Sequence, residues 1–572
     1  DVFDRLSRLY ASRKMQPELA SVLERRISGI TDPDERLAME VKRGSVLLEA
    51  GDIDGARRAL EAALAQRPED AGALSAFADL CVSQRDWEAA EQALVRLARL
   101  LPTAREQRNV YSRLGELYAV HLLNLSRAEV ALKEVLKRAP DDTQTTEKLV
   151  DVYKRQNDSA RASELQQELV SKSQTPEEKR KRLLDLAAIY EQTAHDNRRA
   201  EQTLETARRE FPQDIGILRF LAEFYTRHQQ APAFNILLDR AAGDARRALV
   251  SGRISPALFD VLATAFELRG KTDAARVTKG MLAAFLGQPG EIGGGGHRAF
   301  DPSLDDLLAP EELTPALRTL LAKTGDALDQ ASSLDHHALK AHPLAAESPL
   351  ARLSAGVAQA IGLGTVHVLA SPSVGQMCIP VGTSPASILV GDAMPGDERY
   401  AAFLVLRALK IVQARASVLA RTAPGDLAVL VSAWLKCFNP KWQPQGVNTA
   451  QLNAAGGRIQ ALMPRNLAPE LATIALEAAG TIGAQAAALG AQVTAWADRV
   501  ALLSLGDCNA ALEAIAFAGG APGAPRDPKE RAAWIARTPA ARDLIAFAVT
   551  DAFAEARARL GIDSSANKPA SS

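Results

Sequence analysis

Metal and nucleophile chemistry needs imidazoles, thiolates and carboxylates brought to one place, and this sequence is sparing with the first two. Eight histidines and four cysteines are spread over 572 residues. The densest group is Asp335-His336-His337 with His342. Adjacent histidines point to different sides of regular structure, and no carboxylate or thiolate stands at a spacing that would close a zinc site there. Cys81, Cys378, Cys437 and Cys508 form no Cys-x-x-Cys pair, so neither a zinc knuckle nor a disulfide framework is implied. With no histidine close in sequence, Cys378, Cys437 and Cys508 read as small buried hydrophobes. Ser371 and Ser373 lack the Gly-x-Ser-x-Gly setting of a hydrolase elbow. Gly270-Lys271-Thr272 has the ending of a phosphate loop, but Ala265 stands five positions before Gly270 and the run before it is helical, which makes it a turn between helices. His121, His195 and His228 fall near helix ends, where solvated or capping histidines are common. No metal and no cofactor is expected.

These residues sit in a chain of two compositions. Lys and Arg number 68 against 69 Asp and Glu, a net charge of -1, so the basic surplus of a nucleic-acid binder is missing. Residues 1–290 carry 45 basic and 44 acidic side chains and residues 291–572 only 23 and 25, a fall in charge density that suggests an extended helical array followed by a domain with a thicker core. The glycines at 287, 290 and 293–296, with Pro289, mark the expected boundary: a linker over 287–300, a second domain over 301–561 and a disordered tail over 562–572. The longest uncharged stretch, Leu353 to Gly391, is broken by Pro372, Pro380 and Pro385 and does not suit a lipid-facing helix. No membrane span is expected. The unpaired cysteines suggest a reducing cytoplasm, and the start at Asp1 leaves room for a missing leader.

Residues 1–286 repeat at close to 34 positions. Gly44, Ala56, Leu60, Ala63 and Pro68 return as Ala78, Ala90, Leu94, Leu97 and Pro102, and Pro140 and Pro212 continue the series. This pattern resembles the tetratricopeptide repeat (TPR), in which small residues let two antiparallel helices approach and proline ends the second. It predicts helix pairs near 1–28, 34–67, 70–101, 105–139, 142–172, 178–211, 213–245 and 255–286, with an insertion near Val120 to Leu125. One hairpin cannot cover its own apolar face, so neighbours must stack. The resemblance implies a groove that holds a peptide or protein, with Asn109, Arg113, Lys148 and Arg219 on first helices as candidate contacts. The mixed run Glu177 to Arg182 reads as a solvated helix face.

In residues 301–561, Asp305 and Asp306 read as solvated or capping groups. Thr365 to Leu369 and Ser387 to Val390 suggest two strands of a small antiparallel sheet, joined by a turn or hairpin over Pro372 to Pro385. Helices are expected near Asp397 to Ala416, then at 426–437, 467–490, 491–505, 508–518, 528–536 and 540–559. Strands, a helix and a later helix ending in Ala497-Asp498-Arg499 resemble the prenyl-protease-like branch of the gluzincin metallopeptidases. That resemblance places the His-Glu-x-x-His motif on Leu406-Arg407-Ala408-Leu409-Lys410 and the third ligand on Thr494, four before Asp498. Leu406 and Lys410 cannot replace imidazoles, Arg407 cannot act as the base, and Thr494 has no carboxylate. No histidine follows His367. Asp498 and Arg499 remain, able to orient helices through hydrogen bonds or an ion pair.

The expected fold is mostly α: a TPR-like solenoid followed by an α+β domain with a small sheet. The expected function is protein–protein interaction or assembly, with a catalytically inactive peptidase-like domain and self-association possible. The alternatives are a hydrolase with an unrecognised site and a self-assembling structural subunit.

Overall fold

The computed structural model describes residues 2–394, 398–444, 446–465 and 469–562. They form two compact units, Asp1–Phe211 and Pro212–Ser572.

The first unit is six antiparallel helix pairs: α1 (Val2–Ser12) with α2 (Gln16–Ile27), α3 (Pro33–Ala50) with α4 (Ile53–Gln66), α5 (Ala71–Ser83) with α6 (Trp87–Leu100), α7 (Ala104–Glu116) with α8 (Leu125–Arg138), α9 (Thr143–Arg155) with α10 (Ser159–Ser171), and α11 (Pro176–Ala188) with α12 (Asn197–Glu210). From α3 onward every helix here starts on a side-chain cap. Asp32, Asp52, Asp70, Asp86, Thr103, Asn124, Asp142, Asp158, Thr175 and Asp196 each accept from a first-turn N–H, a bond worth about 1 kcal/mol per helix. The turns inside the pairs repeat too: Gly51, Arg85, Leu123, Asn157 and His195 all take a left-handed φ between 51° and 83°. His195 is thus a turn residue. Within a pair the helices meet through small side chains. Ala56, Ala78, Ala90, Ala128, Ala162 and Ala200 are fully buried, and a Cβ on Gly44 would stand 2.6 Å from the Leu60 side chain. The insertion near Val120 is a π-helical turn, Leu117–His121, and a second one at Ile189–Thr193 went unanticipated.

The second unit opens with two more pairs, α13 (Ile215–Arg227) with α14 (Ala231–Val250) and α15 (Pro256–Leu268) with α16 (Thr272–Phe285). The glycine-rich stretch after them is not a free linker, and the division of the chain falls at Phe211/Pro212 rather than within 287–300. Residues 290–295 run along α25 (Leu489–Leu505): Ile292 N donates to Gly506 O at 2.8 Å, Gly295 N to Leu503 O at 2.8 Å, and Cys508 N to Gly290 O at 3.0 Å. Glycine is required by proximity, because a Cβ on Gly294 would lie 2.1 Å from Ser504 O. Arg557, its side chain fully buried, donates to Ile292 O (2.7 Å), Gly293 O (2.8 Å) and both carboxylate oxygens of Asp273 on α16. Burial raises the Asp273 carboxyl, but Arg557 and Arg276 outweigh it and hold the group below the usual carboxylate range.

The remaining helices are α17 (Asp305–Leu308), α18 (Pro315–Ala331), α19 (Pro349–Ala360), α20 (Arg399–Gln413), α21 (Ser417–Arg421), α22 (Pro424–Phe438), α23 (Thr449–Leu462), α24 (Glu470–Ile482), α26 (Cys508–Ala518), α27 (Pro528–Arg537), α28 (Pro539–Ala548) and α29 (Asp551–Arg559). The expected helix 540–559 is broken at Val549-Thr550, where Thr550 caps α29. Apart from Ile562, the expected tail 562–572 lies outside the described residues, as do Asp397 and the first two positions of the helix expected from 467. A four-stranded sheet, β1 (His342–Pro343), β2 (His367–Ser371), β3 (Cys378–Thr383) and β4 (Ala386–Gly391), has the order β1-β2-β4-β3. The two expected strands, β2 and β4, run parallel rather than antiparallel. The chain passes from β2 to the far edge, forms β3 and hairpins back to place β4 in the middle. Pro380 and Gly382 disguise β3 in the sequence; an edge strand with a register shift between those two residues accommodates both. Every residue of β4 is buried, and α20, apolar around most of its girth, packs on β3 and β4 on one side and on α25 on the other. No single helix among the described residues is long and apolar enough to cross a membrane.

Two outcomes follow from this packing. Gly294→Ala should destabilise the protein by about 2 kcal/mol, an overpacking cost, read as a lower midpoint in chemical denaturation; a flexible linker would show no change. Asp329, at the end of α18, accepts from Val418 N at 2.8 Å, and burial pushes its carboxyl from 3.8 up to about 6. The folded state therefore keeps a proton that the unfolded chain has lost, so this group favours folding at low pH and its contribution fades between about pH 4 and pH 6. At roughly 1.4 kcal/mol per pH unit the loss is about 3 kcal/mol. Asp329→Asn keeps an acceptor for Val418 and should flatten that part of the stability profile, measured by urea unfolding at pH 4.5 and 7.5.

Candidate functional site

On the first helices of the first unit, charges pair from one repeat to the next. Arg113 of α7 meets Asp79 of α5, Lys148 of α9 meets Glu116 of α7 at 3.2 Å, and Arg182 of α11 meets Glu147 of α9 at 3.3 Å. Arg113 and Lys148, expected as groove contacts, do lie on this face, but each is already engaged by the preceding repeat. Asn109 is exposed on α7. Arg219 belongs to the second unit, where it pairs with Glu267 at 3.0 Å.

At the end of this ladder a pocket of about 290 Å³ opens among α9, α10 and α11, lined by Glu147, Val150, Lys154, Lys181, Arg182 and Asp185 among others. Arg182 corrects the reading of its run as a solvated face. It is buried and donates to Leu169 O at 2.9 Å and Ser173 Oγ at 3.2 Å, because its position in α11 faces α10 rather than water. Lys154 and Lys181 are exposed and hold no ion pair among the described residues. The pocket's lining thus holds two ammonium groups without an ion pair beside Val150 and Ile189, together with the carboxylates of Glu147, Asp151, Glu178 and Asp185.

In the second unit, α20 and α25 bring together residues 91 positions apart. Arg407 Nε donates to Asp498 Oδ1 in a pair whose carboxylate is 1% exposed. Burial raises the Asp498 carboxyl, and Arg407 opposes that shift. Lys410 Nζ, 2% exposed, donates to Asp305 Oδ1 at 2.9 Å and to Gln413 Oε1 at 3.2 Å, and stands 4.5 Å from the Trp496 ring. Burial lowers the Lys410 ammonium and raises the Asp305 carboxyl. Asp305 is thus the counter-ion of a buried lysine, not a solvated group. Leu406 is buried core, and Thr494 Oγ1 donates to Gly490 O within its own helix. Arg499 donates to Leu308 O at 3.0 Å and stacks on Phe547. The residues that the expected resemblance assigned to a degenerate metal site are thus engaged in apolar packing, a bond within their own helix and internal ion pairs.

The other chemistry-bearing residues are spent on structure. Asp335 accepts from His337 N and Ala338 N in a turn, and Ser371 Oγ donates to Leu339 O and accepts from Ser373 N. His121 stacks on Trp87 with ring centres 3.8 Å apart, and Gly270 makes the turn before α16 with φ 72°. Burial pushes the Cys81 thiol up to about 11 and Cys378 to about 12, and raises Cys508, so none is a ready thiolate. Cys437 and Cys378 are half-buried rather than fully buried. Among the described residues no three His, Cys, Asp or Glu side chains gather in a way that could hold a metal ion.

Compared with known proteins, residues 47–114 match the tetratricopeptide repeat family model; that segment spans α4, α5, α6 and most of α7. No curated protein matches the chain. Among solved structures, it is similar to a tetratricopeptide repeat protein from Parabacteroides merdae (16% identity, 46% of this chain and 98% of that one, TM-score 0.28). It is similar also to PilF of Pseudomonas aeruginosa (16% identity, 39% and 96%, TM-score 0.26) and to a thermophilic TPR protein of Thermus thermophilus (16% identity, 39% and 96%, TM-score 0.16). The chain carries TPR-type helix pairs; these comparisons do not extend to a peptidase-like second unit.

Asp498→Ala strands the Arg407 guanidinium in a nearly dry site and should cost about 3–5 kcal/mol. The double variant Arg407→Met/Asp498→Leu should recover most of that loss. Urea unfolding of the single and double variants checks this, and a double variant as unstable as the single one would show that the pair is not the cause.

Proposed function

We propose that the chain is a protein–protein interaction or assembly scaffold that holds a partner segment on the first-helix face of residues 1–211. The observation that carries this reading is the pocket at α9–α11, where Lys154 and Lys181 stand without an ion pair among the described residues, beside Val150 and Ile189 at the end of the row of pairs Arg113–Asp79, Lys148–Glu116 and Arg182–Glu147. A partly apolar segment of mixed charge, its acidic group toward the two lysines, fits such a site, the charges setting orientation and rate and Val150 and Ile189 supplying affinity. The second unit serves as a catalytically inactive, peptidase-like body. Support comes from α20 packing on α25 after the small sheet, with Arg407 and Lys410 at the metal positions engaged by Asp498 and Asp305. Four unpaired thiols agree with a reducing, cytoplasmic setting.

Self-association is favoured by one observation. Val120, Leu123 and Val130, large apolar side chains of one segment, the α7–α8 hairpin, are 57–66% exposed.

The full-length Lys154→Glu/Lys181→Glu variant should lose at least tenfold in affinity for whichever protein co-purifies with the wild-type chain, with unchanged thermal stability. Retention of that partner at full affinity would place binding elsewhere. In parallel, mass measurement in solution across a hundredfold range of concentration should show a species that grows with concentration if the exposed hairpin pairs with a second copy.

A further inference from the structure

A second ladder runs along the second helices of the first unit. In its first rung Glu91 of α6 accepts from the Tyr118 hydroxyl at 2.8 Å and from Arg127 of α8, whose guanidinium lies over the Tyr118 ring. In the next rung Glu129 of α8 accepts from the Tyr153 hydroxyl at 3.3 Å and from Arg161 of α10 at 2.7 Å, and Arg161 lies over the Tyr153 ring. The design is one carboxylate from the preceding second helix, shared by a tyrosine hydroxyl and an arginine. Burial pushes the Tyr118 phenol up to about 12, and its hydrogen bond to Glu91 adds to the shift, so it stays a donor at neutral pH.

The third rung keeps the tyrosine and the arginine but not the acid. Arg199 of α12 lies over the Tyr190 ring at 5.8 Å, as Arg127 does over Tyr118; the α10 position that matches Glu91 and Glu129, five residues past the capping residue, is Ser163, and Gln167, one turn further on, reaches the rung instead. The neutral Gln167 donates to the Tyr190 hydroxyl at 2.7 Å and offers Arg199 no charge. The guanidinium is left with its own cap residue, Asp196, at 3.5 Å, and is 65% exposed. At this rung the surface opens into a pocket of about 570 Å³, with Leu183 and Leu186 as an apolar floor and Arg199, Tyr190, Gln167 and Gln202 on its walls.

We propose that this pocket binds a peptide segment of a partner protein, with an aspartate or glutamate completing the rung on Arg199 and an adjacent aliphatic side chain resting on Leu183 and Leu186. The two filled rungs show which chemical group fits there, a carboxylate, and a guanidinium poised over a tyrosine ring takes it as a charge-assisted hydrogen bond. The site lies on the second helices, apart from the lysine pocket of the first helices. It rests on the reading of the chain as a protein-binding scaffold, yet its test leaves Lys154 and Lys181 untouched, so the two can fail separately.

The experiment uses the full chain and immobilised, terminally blocked hexapeptides in which one glutamate is flanked by leucines, each paired with its glutamine counterpart. Wild-type protein should bind the glutamate series at least fivefold more tightly than the glutamine series. Arg199→Gln should erase that preference. Gln167→Glu supplies the missing carboxylate from within, so it should erase the preference while melting no lower than wild type, which separates a filled site from an unfolded one. The proposal is overturned if no peptide binds, if the two series bind alike, or if Gln167→Glu retains the preference.

Discussion

Every helix pair in the first unit depends on how closely two helix axes can approach, and that distance is set by side chains that are barely there. Gly44 lies against Leu60 and Gly115 against Leu132, where a single added carbon would stand 2.6–2.7 Å from a leucine; fully buried alanines hold the other crossings. Dense packing of this kind leaves little slack in how the two helices of a pair meet. Regular spacing then places charges of successive repeats opposite one another, which is why two ion-pair ladders can form, one on each set of helices. Exposed pairs of this sort add little stability. Their consequence is local: where a rung is complete the surface is satisfied, and where it is incomplete a cation is left for something else.

The second unit solves a different problem, the burial of full charges. Arg407 with Asp498, Lys410 with Asp305 and Arg557 with Asp273 are all taken from water, and each is matched by an opposite charge or by backbone carbonyls. A buried pair of this kind is poor evidence for added stability, because desolvation offsets most of the attraction, but it fixes which helices face each other. Arg407 and Asp498 tie α20 to α25.

The eight helix pairs were legible because their signals are local: a period near 34, small residues at the crossing and prolines at the ends. The expected boundaries fall within a few residues of those observed, save α14, which runs to Val250. What was not legible depends on contacts between distant segments. The glycines at 293–296 have the composition of a linker, and only the Ser504 carbonyl above Gly294 shows that they are pressed against a helix end. β3 was hidden by Pro380 and Gly382, which an edge strand tolerates. α19 and α23 carry too many Ala, Gly and Gln residues to announce an apolar face. Of the candidate contacts, Arg113 and Lys148 do lie on first helices, but periodicity cannot tell a paired charge from a free one; the partners Asp79 and Glu116 lie a full repeat away. The interrupted rung could have been noticed by counting five residues past the caps Asp86, Asn124 and Asp158, which gives Glu91, Glu129 and then Ser163.

The last two helix pairs look, residue by residue, like a continuation of the array, yet α16 supplies the carboxylate that neutralises Arg557 from the far end of the chain. Those hairpins are therefore not a detachable cassette. Trading them between proteins, whether in a laboratory chimera or by recombination of gene segments, would orphan a guanidinium in the middle of the second unit, whereas the capped hairpins of residues 33–210 touch chiefly their sequence neighbours and could be gained or lost one at a time.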